Sequence, residues 1–256
     1  MSTVALHCRD TGGPGDAVVL AHAIGLDHRM WSSLAEALAP KHRVVAIDAR
    51  GHGASPVAPR PYSLALLADD VAALLDRLAI RRAHWVGLSM GGMIGQAFAL
   101  RHAARLQRLV LANTTSSYGP GGAANWQARI KLVEDGGLAA IRDAVEARYF
   151  SEDFRKAHPD VVAMQMARFM ETSPQGYLGC CDAIAGLDFS RELARIAAPT
   201  LVIAGGADVG TPVAMHEALA AGIPGARLAV MQGAAHLSAV ERPQEFIDLV
   251  LEFLHG

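Results

Sequence analysis

Short apolar runs alternate along the chain with segments of helical periodicity. Residues 17–21, 43–48, 83–86, 109–112, 200–204 and 227–231 have the length and composition of buried strands. Residues 30–38 and 92–100 read as helices. After Ser63, a candidate N-cap, Leu64, Leu67, Val71, Leu74, Leu75 and Leu78 fall on one helical face. This alternation predicts an α/β fold, with a mostly parallel sheet and helices on both faces. The pattern breaks between about 116 and 190, where helical periodicity persists, for instance over 126–134 and 138–149, without a convincing strand. Such a stretch can be extra packing helices. Its place between two sheet strands favours a helical cap that walls off the strand ends. The expectation is one domain over 1–256 with a cap insertion at about 116–190.

Composition supports a buried core. The chain has 256 residues, 52% of them hydrophobic, enough for one well-buried α/β domain. A formal net charge of -2 argues against a nucleic-acid or anionic-membrane surface. The first ten residues lack a charged segment followed by a long apolar core, so no signal peptide is expected. No apolar run reaches the roughly 18 residues of a membrane span. Cys8, Cys180 and Cys181 are an odd set with one adjacent pair, which is no disulfide framework and fits a reducing, cytoplasmic setting. Cys180 and Cys181 read as packing residues, since nothing nearby marks a base for them. No Cys/His cluster has zinc spacing. The neighbourhoods of Asp27-His28 and Arg50-Gly51-His52 read as loops rather than metal sites.

The chemistry concentrates in Gly87-Leu88-Ser89-Met90-Gly91, a G-x-S-x-G sequence between an apolar run and a helix. A serine on so sharp a turn is exposed at the helix N-terminus, unless the turn is purely structural. A hydroxyl becomes a nucleophile when a base takes its proton, and that base is a histidine oriented by a carboxylate later in the chain. Asp208 and His236 each follow a predicted strand, where open α/β sheets bind ligands. Asp208 can instead be the N-cap of the helix starting near Pro212, and His236 a plain loop residue. The required order, with each residue at a strand end, favours the relay. The backbone N–H of Met90 and that of Ile24, in the loop His22-Ala23-Ile24-Gly25, are the expected oxyanion donors. The loop Arg50 to Ser55 reads as a structural turn.

These motifs resemble the α/β-hydrolase superfamily over the whole chain. Within it, the sequence is similar to the 3-oxoadipate enol-lactonases. The resemblance rests on Asp48-Ala49-Arg50-Gly51-His52-Gly53-Ala54-Ser55, on the serine motif through Gly95, and on Leu109-Val110-Leu111-Ala112-Asn113-Thr114. It rests also on Trp126-Gln127-Ala128-Arg129, Gly176-Tyr177-Leu178-Gly179-Cys180-Cys181 and Ala234-Ala235-His236-Leu237-Ser238. The chain departs from the lactonase pattern at His22 to His28 and at Val209-Gly210, leaving the three relay residues intact. The resemblance implies opening of a carboxylated enol-lactone through an acyl-enzyme on Ser89, without metal or organic cofactor. It implies a small-molecule lactone or ester as the partner. A cation is then needed for the substrate's spare carboxylate. Arg129, one turn after Trp126, is the candidate, with Trp126 as a substrate wall. A solvated Arg129 and a Trp126 in the cap core are the competing readings. A small-ester carboxylesterase or perhydrolase of the same fold, and a ligand-binding sensor that keeps the relay, are the alternative functions.

Overall fold

The computed structural model describes residues 2–256. In chain order the elements are β1 (Cys8–Asp10), β2 (Ala17–Ala21), α1 (Ser32–Leu38), β3 (Arg43–Ile47), α2 (Leu64–Arg77), β4 (Ala83–Leu88), α3 (Met90–Arg101) and β5 (Leu106–Ala112). There follow α4 (Gly122–Gly136), α5 (Arg142–Tyr149), α6 (Glu152–Ala157), α7 (Pro159–Glu171) and α8 (Pro174–Ala185). The chain then returns to the sheet through β6 (Thr200–Gly205), α9 (Val213–Gly222) and β7 (Arg227–Met231), and ends in α10 (Ser238–Glu241) and α11 (Pro243–His255).

One seven-stranded sheet runs in the order β1-β3-β2-β4-β5-β6-β7. Only β1 is antiparallel; the other pairings are parallel. Every residue of β2, β4 and β6 is buried, as expected of parallel strands covered on both faces. That double burial is why these strands read as continuous apolar runs rather than as alternation. The chain leaves β2 for β3 on one side, then crosses back to β4 on the other. The carboxyl ends of β2 and β4 therefore flank the crevice where such sheets bind ligands.

Several expectations needed adjustment. The helix anticipated at 30–38 opens as a 3-10 turn over His28–Trp31, because the Asp27 side chain accepts the Arg29 N–H, and α-helix begins at Ser32. Residues 138–149 divide likewise into a 3-10 turn, Leu138–Ile141, and α5. Ser63 does cap α2, its hydroxyl accepting from the Leu66 N–H. The sequence reading placed no element at β1 or α11. β1 is three residues of alternating exposure at the sheet edge, too short for periodicity to register.

Between β5 and β6, the described residues form helices α4–α8 and no strand of the sheet. The two ends of this insertion are pinned together: Ser117 and Asp188 form an isolated antiparallel bridge, and the Phe189 N–H donates to the Ser116 carbonyl. Helix α8 rests on the loop after β3 at a point of close backbone approach. A Cβ on Gly176 would lie 2.0 Å from the Gly51 carbonyl oxygen. That loop is itself fixed by a buried ion pair, Arg50 to Asp70 of α2, at 2.7 and 2.8 Å. No helix among the described residues is long and apolar enough to cross a membrane.

Candidate active site

Ser89 sits between β4 and α3 with φ 56° and ψ -117°, a region that side-chain-bearing residues rarely occupy. The strain is held by close packing. A Cβ on Gly91 would lie 2.0 Å from the Ala21 carbonyl oxygen, so the first turn of α3 fits over β2 only as glycine. Thr114 adds a hydroxyl hydrogen bond to the Ser89 carbonyl at 2.8 Å.

The structure brings Ser89, His236 and Asp208 together. His236 Nε2 lies 2.8 Å from Ser89 Oγ, and His236 Nδ1 lies 2.8 Å from Asp208 Oδ2. A carboxylate can only accept, so Nδ1 carries the proton and Nε2 is left to accept from the serine hydroxyl. All three residues are buried, at 5%, 2% and 4% exposure, so the pairing is shielded from bulk water.

Asp208 caps no helix; the N-cap residue of α9 is Pro212. Its Oδ1 accepts the N–H groups of Gly210 (2.7 Å) and Thr211 (3.0 Å). Its Oδ2 accepts the Thr211 hydroxyl (2.7 Å) and Asn113 Nδ2 (3.0 Å) besides His236. Burial alone would raise its pKa, but His236 and these donors outweigh burial and hold the carboxyl well below the usual carboxylate range. It is therefore ionised throughout the neutral range. Asn113 also donates to the Ala235 carbonyl at 3.1 Å, tying the aspartate loop to the histidine loop. Sequence reasoning gave Asn113 no role, although it lies in the Leu109 to Thr114 motif; its partners are about a hundred residues away.

The loop after β2 is pinned beside α3 by the Gly91 N–H, which donates to the His22 carbonyl at 3.1 Å. Among the described residues the N–H groups of Ile24 and Met90 have no acceptor. From the insertion, Tyr149 stacks on His236, with centroids 5.8 Å apart and planes 17° apart, and its carbonyl accepts the Leu237 N–H. No spacing in the sequence marked Tyr149.

Trp126 and Arg129 share a face of α4. The Arg129 guanidinium lies 5.2 Å from the Trp126 ring centroid and donates to the Tyr177 hydroxyl at 3.1 Å. Both residues line a cavity of about 450 Å³ with Tyr118, Arg148 and Gly210, next to the Asp208 loop. Ser89 and His236 do not line it. Arg148, which sequence reasoning did not single out, donates to the Gly210 carbonyl at 3.0 Å. Among the described residues neither Arg129 nor Arg148 pairs with a carboxylate; most other arginines do. Cys180 and Cys181 are buried, and burial pushes the Cys181 thiol up to about 12, so neither is a thiolate nucleophile.

Among the described residues, one cluster has metal-ligand chemistry: His7, His28 and Asp48. Its donors are already engaged. Each imidazole Nδ1 reaches a different Asp48 oxygen at 2.8 Å, and the two oxygens also accept the N–H groups of His28 and Ala54. This is a hydrogen-bonded knot that ties His7, before β1, and His28, at the start of the 3-10 turn, to Asp48 after β3.

Comparison with known proteins agrees with this architecture. The profile of a family described as "Alpha/beta hydrolase family" matches residues 18–249. A 3-oxoadipate enol-lactonase of Acinetobacter baylyi is 37% identical over 230 residues, 90% of this chain and 85% of that protein. The crystal structure of the enol-lactonase from Burkholderia xenovorans LB400 superposes with a TM-score of 0.94 at 37% identity, covering 98% of this chain and 96% of that one. A thermophilic esterase from Thermogutta terrifontis, with malate bound, gives a TM-score of 0.92 at 31% identity, covering 98% and 93%.

Proposed function

Because the chain belongs to the alpha/beta hydrolase family and is a hydrolase, we propose that it opens a carboxylated enol-lactone, of the 3-oxoadipate enol-lactone type, through an acyl-enzyme on Ser89. The observation that carries the acidic substrate is the pair of guanidinium groups, Arg129 and Arg148, lining one cavity beside the Asp208 loop without a carboxylate partner among the described residues. An acid arm placed there receives charge-assisted hydrogen bonds from two fixed guanidinium groups.

Ser89 Oγ attacks the lactone carbonyl while His236 Nε2 takes its proton. Asp208 keeps the imidazole in the Nδ1–H tautomer and stabilises the imidazolium that forms. The Ile24 and Met90 N–H groups hold the carbonyl oxygen as it becomes an oxyanion. Loss of one such donor costs about 2.7–4 kcal/mol of barrier. The ring C–O bond then breaks, and the departing enolate stays tethered to the acyl-enzyme. A proton from the imidazolium, delivered to carbon, gives a ketone that no longer re-closes the ring. Water, deprotonated by His236, cleaves the ester and returns Ser89 with a linear 3-oxo diacid.

The second reading, a small-ester esterase, is favoured by the likeness to the Thermogutta protein. Parallel turnover of the enol-lactone and of p-nitrophenyl acetate separates the two. Arg129→Ala is expected to lower kcat/KM on the lactone by about 10- to 100-fold, one charged hydrogen bond's worth, and to leave the acetate nearly untouched. Equal losses on both substrates overturn the carboxylate role.

A further inference from the structure

The peptide unit that follows the Ile24 N–H is gripped at both poles. Its carbonyl, that of Ile24, accepts a hydrogen bond from the Tyr149 hydroxyl on α5. Its N–H, that of Gly25, donates to His52 Nε2 at 2.9 Å. The next carbonyl, that of Gly25, accepts the Thr172 hydroxyl at 3.0 Å. The Leu26 N–H turns back to the Ala23 carbonyl at 3.1 Å. Every polar backbone group from the Ile24 carbonyl to the Leu26 N–H is thus occupied, while the Ile24 N–H itself has no acceptor among the described residues.

The two grips come from different parts of the molecule. His52 belongs to the loop after β3; Tyr149 and Thr172 belong to the insertion. His52 is fully buried, and a backbone N–H can only donate, so its Nε2 must be the unprotonated nitrogen. Burial and the neighbouring His22 push its pKa down to about 3, so it remains an acceptor throughout the neutral range. Burial likewise raises the Tyr149 phenol, which remains a donor. Gly25 has φ +77°, and a Cβ there would lie 2.6 Å from the Phe169 ring, so the loop has little freedom to find another conformation.

We infer that Tyr149 and His52 are positioning residues that orient the Ile24 N–H toward the developing oxyanion by holding the Ile24–Gly25 peptide from both ends. The inference rests on the serine-hydrolase reading above. The insertion is then more than a roof over the site. A residue it carries completes the oxyanion hole, and the same ring packs against the histidine that acts as base. Oxyanion stabilisation becomes conditional on the insertion being seated.

The test is acylation of the full-length protein by p-nitrophenyl acetate, with phenylboronic acid as a tetrahedral mimic. Tyr149→Phe keeps the ring on His236 and removes only the hydroxyl. It is expected to lower kcat by about 10- to 100-fold, somewhat less than deletion of an oxyanion donor, with KM within about twofold. Boronate affinity should fall in step with kcat/KM, which a residue that merely supports the fold would not produce. His52→Leu should give the same signature, and His52→Gln, which restores an acceptor, should recover part of the loss. Combined with Tyr149→Phe, His52→Leu should cost less than the sum of the two, since both act on one peptide. Where His52→Leu does not fold, Tyr149→Phe decides alone. Unchanged kcat in Tyr149→Phe, or a loss confined to KM, overturns the inference. Failure of the wild-type protein to acylate at Ser89, scored against Ser89→Ala, overturns the serine-hydrolase reading instead, so the two failures are told apart.

Discussion

Two buried aspartates accept imidazole N–H groups at the carboxyl end of this sheet, and only one of them faces a hydroxyl. Asp208, after β6, and Asp48, after β3, each accept a histidine Nδ1 at 2.8 Å, and each is steadied by backbone N–H groups. Both carboxyls are held down despite burial, Asp48 to about 2 chiefly by the His28 and Ala54 N–H groups, and Asp208 chiefly by His236 itself. The difference lies on the far side of the ring. His236 Nε2 meets Ser89 Oγ, while His28 and His7 are 20% and 42% exposed at the side chain and reach no such hydroxyl. A carboxylate–imidazole pair is thus common structural material. In the mechanism proposed above, it becomes chemistry when the second nitrogen is aimed at a strained, glycine-flanked serine.

The strongest test of this contrast is the same substitution at both sites. Asp208→Asn is expected to lower kcat by about 10⁴-fold by allowing the wrong tautomer of His236. Asp48→Asn should leave kcat within a few-fold yet destabilise the fold by about 3 kcal/mol, because it sets an amide where the loops present only donors. Steady-state rates and urea unfolding read both. A large loss of kcat with an unchanged unfolding midpoint in Asp48→Asn would erase the distinction.

Acid titration sharpens it further. The folded pKa values of His52 and His84 are pushed down to about 3 and about 4 by burial. Their contribution to stability is complete above the ordinary histidine pKa of about 6.5, falls progressively below it, and is fully lost once pH has passed through 4 and 3. The depressed aspartates contribute above about 3.9 and lose that contribution at still lower pH. Urea midpoints should therefore fall between pH 7 and 4 in the wild type and in Asp48→Asn alike, with the variant losing less below pH 4. A flat profile from pH 7 to 4 would remove the buried-histidine account. The smallest expected effect is that of His7→Ala: one half-exposed partner gone, about 1 kcal/mol of stability at most, and no change in kcat.

The sequence made the centre of the molecule legible because there local pattern and tertiary role coincide. β4, Ser89 and α3 are contiguous, and the glycines that permit the turn lie within two residues of the serine. Asp208 and His236 were readable because each follows a buried apolar strand. The supporting contacts were not. Asn113 reaches Asp208 across 95 residues, and Tyr149 reaches the Ile24 carbonyl across 125. No local spacing encodes such partners. Arg129 and Trp126 do share a face, as their spacing suggests, yet their cavity borders the Asp208 loop rather than the serine. α11 buries one face through Phe246, Ile247, Val250, Phe253 and Leu254, a helical stripe that carries no chemistry-bearing residue to single it out.

The contact between Gly51 and Gly176 has a consequence for engineering. The helical insertion is not an interchangeable module. A foreign lid grafted onto this base must bring a residue without a side chain to the spot where α8 touches down, or it will ride up and carry the tyrosine grip away from the loop beneath.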